Sequence, residues 1–262
     1  MKSLAGRTAL VTGSAAGLGH AIARSLAAEG ANVVLHGLCP PGAGEAAARA
    51  LADAAGVTVA FDNADLRRVS EISRMVQEAT ARSGSIDILV NNAVVRHFAA
   101  VEDLAPEDWD EEIAVNLSAG FHLARLTLPE MKRRGWGRIL NISSVFGARG
   151  AANRIGYVTT KTALLGMTRA IAAETARTGV TCNAISPGTV ASPAILDRIA
   201  ATAAETGRDA AEVAEEYVAA RHPTGRFVAM ESVGALAAFL CSPAGDDITG
   251  TTLPIDGGWT AA

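Results

Sequence analysis

The sequence predicts a doubly wound α/β fold, a parallel sheet of about seven strands with helices on both faces. Three observations point there. Short Val- and Ile-rich runs alternate with longer alanine-rich segments of helical period along nearly the whole chain. Several runs are apolar throughout rather than at every second residue, as in strands covered on both faces. Glycines follow the first run directly and open a helix. The chain has 262 residues, 49% hydrophobic and 19% charged, which excludes a disordered polymer and suffices for a sizeable core.

In chain order the strands are expected at Thr8–Thr12, Ala31–Leu35, Val57–Phe61, Ile86–Val90, Arg138–Ile142, Val180–Ile185 and Thr252–Ile255. Helical segments lie between them at Gly19–Glu29, Gly44–Ala54, Val69–Arg82, Pro106–Arg134 and Ala152–Thr178. No linker, repeat or low-complexity stretch interrupts the pattern, so residues 1–262 are expected to form one domain. The exception is 189–223, a polar, alanine-rich insertion too long for a plain connection and expected to form a helical lid.

Composition narrows the function classes. The 23 basic and 27 acidic side chains leave a net charge of −4 with no block of one sign, which argues against nucleic acid or an anionic membrane as partner. No run of about 18 uncharged apolar residues is present, and the N-terminus lacks a signal-peptide pattern. Cys39, Cys182 and Cys241 form no CxxC pair and read as free thiols of a reducing, cytoplasmic compartment. His20, His36, His97, His122 and His222 show no metal-ligand spacing, so no metal is expected.

After the first run comes Thr12-Gly13-Ser14-Ala15-Ala16-Gly17-Leu18-Gly19, then a helix. Such a junction presents backbone N–H groups and the positive helix end to a pyrophosphate. Gly13 would permit the turn, Gly17 the approach of the ligand, and Gly19 the packing of helix on sheet. The spacing is GxxxGxG, and because ordinary βα turns also use glycine, the loop alone leaves both readings open.

Tyr157 and Lys161 stand four apart in a helical segment and so share a face. A cation beside a phenol favours the phenolate and lowers a pKa of about 10, giving a proton carrier near neutral pH. For the pair alone, a coincidental surface Tyr and Lys is the plain alternative. Ser144, thirteen residues before Tyr157, ends the fifth run, and Asn116 lies inside a helical segment it does not favour. Asn91-Asn92-Ala93 ends the fourth run at the carboxyl edge, where such sheets bind ligands. Pro187-Gly188-Thr189-Val190 follows the sixth run and Asp256-Gly257-Gly258 the seventh. In this order and spacing the residues resemble the short-chain dehydrogenase/reductase family over nearly the whole chain, which implies its Rossmann-type sheet.

The resemblance implies roles position by position. Tyr157 would be the general acid/base and Ser144 the hydroxyl orienting the substrate oxygen. Lys161 would hold the nicotinamide ribose and lower the tyrosine pKa, and Asn116 would anchor a water linking Lys161 to solvent. Gly13, Ser14, Gly17, Leu18 and Gly19 would take the pyrophosphate side, Asp65 and Leu66 the adenine, and Asn91 and Ala93 the adenosine ribose. His36, Pro187, Gly188, Val190 and Ser192 are further cofactor positions. Val94 departs from the family, which usually has glycine there; a positive φ at that position would strain a β-branched residue.

The second run ends Val33-Val34-Leu35-His36-Gly37-Leu38, with no acid for a ribose 2′-OH and no Arg for a 2′-phosphate. Ser14, Ala15 and Ala16 supply no cation either, so NAD is expected over NADP. Within the family, Val34-Leu35-His36-Gly37, Arg96-His97, Asn116-Leu117-Ser118-Ala119 and Gly257-Gly258-Trp259-Thr260-Ala261 resemble bacterial D-3-hydroxybutyrate dehydrogenases. There the substrate carboxylate meets a glutamine, a histidine, a lysine and a second glutamine; the matching positions here are Arg96, Phe146, Arg154 and Arg198. Thr189 replaces a tryptophan, Trp259 is retained, and His97 neighbours the pocket segment. Guanidinium forks suit carboxylates, so an acidic substrate is implied, unless some of these arginines point into solvent.

The expected activity is therefore NAD-linked interconversion of a hydroxy acid and its keto acid, 3-hydroxybutyrate-like or longer and more acidic. A 3-oxoacyl-thioester or general ketone reductase of the same family is one alternative, and a non-catalytic nicotinamide sensor another. No GxSxG elbow or HExxH supports a hydrolase. The resemblance also implies a homotetramer.

Overall fold

The computed structural model describes residues 2–261. Its strands are β1 (Thr8–Val11), β2 (Asn32–His36), β3 (Val59–Asp62), β4 (Ile88–Asn91), β5 (Gly137–Ile142), β6 (Val180–Pro187) and β7 (Thr252–Ile255). They pair in parallel throughout, in the order β3-β2-β1-β4-β5-β6-β7. The helices are α1 (Gly17–Ala28), α2 (Ala43–Ala55), α3 (Val69–Ser83), α4 (Pro106–Ile113), α5 (Ala119–Arg134), α6 (Ile155–Thr175), α7 (Pro193–Thr206), α8 (Ala210–Ala219) and α9 (Met230–Cys241).

Side-chain alternation along each strand divides the core in two. Ala9, Val11, Val33, Leu35, Ile88 and Val90 face a cluster with Ile22 and Leu26 of α1 and Val233 and Leu240 of α9. Leu10, Val34 and Leu89 face the opposite cluster, built with Ile72 and Met75 of α3 and Leu123 of α5. Both faces are thus covered, the physical reason the strands read as unbroken apolar runs. The expected doubly wound sheet is present.

Boundaries differ where side chains redirect the backbone. The third strand starts at Val59 rather than Val57, because α2 runs to Ala55 and closes on Gly56 in the left-handed conformation. The expected helix Pro106–Arg134 is continuous but contains a π-helical turn, Ala114–Ser118, with Asn116 buried inside it. α6 begins at Ile155, not Ala152, because Asn153 adopts φ 59° and Arg154 is non-helical.

Residues 189–223 contain α7 and α8, which pack on each other through Ile199, Ala203 and Val213. His222 ties the segment's two ends together: its Nε2 accepts the Thr189 N–H at 2.9 Å, and the other ring nitrogen meets the Arg226 carbonyl at 2.6 Å. No helix among the described residues is long and apolar enough to cross a membrane. β1 and β4 are neighbours whose connections depart in opposite directions, which opens a crevice at their carboxyl ends.

Candidate active site

One wall of that crevice is the glycine loop. Ala16, the N-cap of α1, has no side chain to cap the helix, so first-turn N–H groups are free for an anion. Gly17 has φ +62°, and no atom lies within 4 Å of where its Cβ would stand. A Cβ on Gly19 would instead overlap the Gly13 carbonyl and the Asn92 amide. This open cradle on a tightly packed base fits a dinucleotide pyrophosphate.

Two of the expected cofactor residues hold the loop from behind. Ser14 Oγ donates to the Val11 carbonyl at 2.6 Å and accepts the His36 N–H at 3.0 Å. His36 Nδ1 accepts the Gly13 N–H at 3.1 Å, so Nε2 carries the proton of the neutral ring and faces the Ala64 carbonyl at 2.9 Å. Burial pushes the His36 pKa down, outweighing the Ala64 carbonyl and the Asp62 charge. Neither side chain is turned to the crevice. Asn92 and Thr12, quoted in the motifs but given no role there, complete the brace: Asn92 Nδ2 donates to the Thr12 and Gly13 carbonyls at 2.9 Å each. Thr12 Oγ1 accepts the Ala93 N–H at 3.1 Å.

Asn91 turns its amide to Asn141 Oδ1, 2.8 Å away, behind the sheet edge. The Asp65 carboxylate is gripped by the Arg67 guanidinium at 2.8–3.1 Å; that bond chiefly holds its pKa below the usual range. Leu66 is buried in the second core cluster and Leu18 packs against the first. At the far wall, Gly188 lies against His222 and Asp256, Val190 bridges to Val228, and Ser192 precedes α7 as its N-cap, following Pro187 at the end of β6.

The residues expected to handle the proton meet between α6 and the end of β5. Ser144 caps the short turn Val145–Gly147, its Oγ accepting the Phe146 N–H at 3.2 Å. Tyr157 and Lys161 are buried one helical turn apart, with Lys161 Nζ 5.7 Å from the Tyr157 ring centre and donating to the Ile142 carbonyl at 2.7 Å. Burial alone would raise the Tyr157 pKa. The Lys161 and Arg96 charges, with hydrogen bonding to Ser144 and Arg96, outweigh it and hold the phenol below its ordinary value. Burial lowers the Lys161 pKa against the opposing pull of Tyr157.

Asn116 clamps the chain after β4: its Oδ1 accepts the Val95 N–H at 2.8 Å and its Nδ2 donates to the Val95 carbonyl at 3.0 Å. With Lys161, Asn91 and Leu66 it lines a cavity of about 10 Å3, the size of one water. Among the described residues only Asn153 is a non-glycine with positive φ, so Val94 sits in unstrained backbone.

Of the residues expected around substrate, most converge. Arg96 Cζ is 5.1 Å from the Tyr157 ring centre; Arg154 Cζ lies 4.7 Å from the Phe98 ring and 5.4 Å from the Phe146 ring. Phe146 stacks edge-on with Tyr157 and with Trp259, centroids 6.2 and 5.5 Å apart. Thr189 is buried and pinned by His222. His97 turns away to α4, its ring nitrogens 2.9 Å from Glu111 and 3.3 Å from Asp108. Three further residues belong to this surround: Arg149, which donates to the Trp259 carbonyl at 2.6 Å, and Phe98 and Tyr217, which stack with Arg154 and Arg198. No spacing signals them, because they join through tertiary packing.

A parallel sheet with a glycine cradle at its switch point, and a buried Tyr–Lys pair beside a serine, define a nicotinamide-dependent oxidoreductase. A family model described as enoyl-(acyl carrier protein) reductase matches residues 13–260. The chain is 44% identical over 98% of its length to the D-beta-hydroxybutyrate dehydrogenase of Cupriavidus necator, covering 99% of that protein. It is 41% identical to the enzyme of the same name from Rhizobium meliloti, over 97% of this chain and 99% of that one. Among solved structures, a 3-oxoacyl-(acyl-carrier-protein) reductase from Agrobacterium tumefaciens with NADP bound superposes with a TM-score of 0.89 at 34% identity, over 98% of this chain and 95% of that one. The chain belongs to the short-chain dehydrogenase/reductase family and is an oxidoreductase.

Proposed function

We propose that the protein oxidises a hydroxy acid to its keto acid with NAD, and catalyses the reverse. The observation that carries this reading is the gathering of Arg96 and Arg154 around Tyr157, whose phenol is held below its usual pKa. The two relatives named D-beta-hydroxybutyrate dehydrogenase support the same substrate class.

Each residue's part follows from its surroundings. The Tyr157 phenolate takes the carbinol proton, and Ser144 beside it orients the same oxygen. The bound nicotinamide supplies the hydride acceptor, chemistry that belongs to the cofactor. Lys161 holds the ribose and stabilises the phenolate, and the small cavity it shares with Asn116 suits a water that returns the proton to solvent. Arg96, Arg154 and Arg198 hold the acid group, with Phe146, Trp259 and Thr189 as the pocket wall and 189–223 as the lid.

NAD is favoured because the His36 ring is used internally and Arg67, the nearest guanidinium to Asp65, is paired with that carboxylate and with Glu111. A 2′-phosphate would find no free cation in those groups. A homotetramer in the cytoplasm is the proposed state; Phe121 on α5, 52% exposed, supplies apolar surface for a contact between subunits. Light scattering is expected to give four times the chain mass.

NADH absorbance, followed with NAD and NADP separately, tests the reading against D- and L-3-hydroxybutyrate and the methyl ester of each. Oxidation of one enantiomer with NAD, weaker for its ester, is expected. Turnover of neutral alcohols alone, or reduction of acetoacetyl thioesters with NADPH in preference to the free acid, would replace it. The latter is the second reading, favoured by the likeness to the 3-oxoacyl-(acyl-carrier-protein) reductase.

A further inference from the structure

We infer that the preferred substrate carries two anionic groups: it is a hydroxy acid with a second carboxylate. The inference rests on the hydroxy-acid reading above and deepens it. Three guanidiniums come to the pocket from three separate segments: Arg96 after β4, Arg154 at the start of α6, and Arg198 on α7. Arg96 stands at the Tyr157 ring, and Arg154 lies one aromatic ring further, across Phe146. Arg198 enters from the insertion, 5.8 Å from the Tyr217 ring. The charges are spread along the pocket rather than focused on one point.

Among the described residues, none of the three has a carboxylate within 4 Å. The neighbouring acids are engaged or shielded. Glu111 meets His97 and Arg67, and Asp108 faces His97. Glu112 is wholly buried against Gly156 and accepts the His97 N–H at 3.3 Å; burial pushes its carboxyl toward the neutral form. Arg154 accordingly feels repulsion from Arg198 and Arg96 on top of its own burial. One carboxylate has two oxygens and satisfies one guanidinium fork fully and a second in part. A second carboxylate engages the third fork and removes the remaining repulsion.

The test compares 3-hydroxyglutarate with each enantiomer of its monomethyl ester and with D- and L-3-hydroxybutyrate. The ester keeps the length and loses one charge. The diacid is expected to exceed the monoester in kcat/KM by about tenfold or more, the worth of one charge-assisted pair. Arg198→Gln is expected to cut the diacid's kcat/KM more than the monoester's, chiefly through KM. In parallel, calorimetry with the unreactive acids glutarate and butyrate, with and without NADH, should show glutarate bound at least about tenfold tighter.

Equal binding of glutarate and butyrate, or a diacid no better than its monoester, overturns the inference. If no hydroxy acid is oxidised yet glutarate still binds tighter than butyrate, the dianion site stands and the hydroxy-acid reading falls. Oxidation of 3-hydroxybutyrate with no gain for the diacid does the opposite: the hydroxy-acid reading stands and the dianion site falls.

Discussion

Arg96 combines two jobs in one side chain. In the proposed reading its guanidinium holds the substrate's acid group, and it also lowers the Tyr157 pKa, together with Lys161. Oxidation needs the phenolate, so its rate rises with pH through the tyrosine pKa. Arg96→Gln removes one of the two cations; the rising limb of the pH–rate profile is expected to move to higher pH, with KM for the acid also raised. A profile that stays in place would show that Lys161 alone sets the pKa. Tyr157→Phe is expected to lower kcat about 10²–10⁴-fold with NADH binding, read by fluorescence, retained. Lys161→Arg is expected to lose activity as well, because the bulkier guanidinium cannot take the ammonium's place below the Ile142 carbonyl. At this scale the Tyr157–Lys161 pair is legible in the sequence, since a shared helix face follows from spacing alone, whereas Ser144 is legible only through the family resemblance. Arg149 and Tyr217 are not, because their partners come from distant segments: Arg149 finds Trp259, and Tyr217 meets Arg198. His36 shows the converse. It stands where a cofactor contact is expected, and its ring turns inward because the loop's backbone needs the acceptor.

That inward ring governs an element, the junction of β1 with α1. The folded protein keeps His36 neutral below the ordinary imidazole value of 6.5, while the unfolded chain takes up its proton near that value. Below pH 6.5 the unfolded state therefore binds more protons, and this contribution to stability, complete above 6.5, declines as pH falls. Denaturant melts at pH 7.5 and 5.5 should show a larger loss for the native protein than for His36→Asn, whose side chain does not titrate. Gly19→Val is expected to be far more damaging than substitution of an exposed helix residue. Its side chain would meet the Gly13 carbonyl, and both NADH affinity and melting temperature should fall. The sheet and most of its helices are legible from periodicity, because burial on both faces writes continuous apolar runs. The π-helical turn is not, since helical period is the same on either side of it and only the Asn116–Val95 bonds show why it is there.

Across the whole molecule, the three thiols report on how the layers are closed. Burial pushes Cys182 and Cys241 up to about 12, whereas Cys39 is half-buried in the connection after β2. A maleimide applied to the native protein is expected to label Cys39 alone, and mass spectrometry after unfolding should find all three modified. Early labelling of Cys182 would mean that the sheet opens far more readily than its packing allows.

His222 has a wider consequence. The insertion opens at Thr189, Arg226 lies just past its end at Pro223, and both residues meet one imidazole. The Val228 N–H adds a bond to the Thr189 carbonyl at 2.9 Å. The segment between is thus a loop with a closed neck, and its two feet stand together on the sheet whatever lies between them. Evolution can exchange such a segment for another of different length or charge without touching the strands or the Ser144, Tyr157 and Lys161 cluster. The same neck is the place to cut and splice when grafting a new substrate preference onto this scaffold.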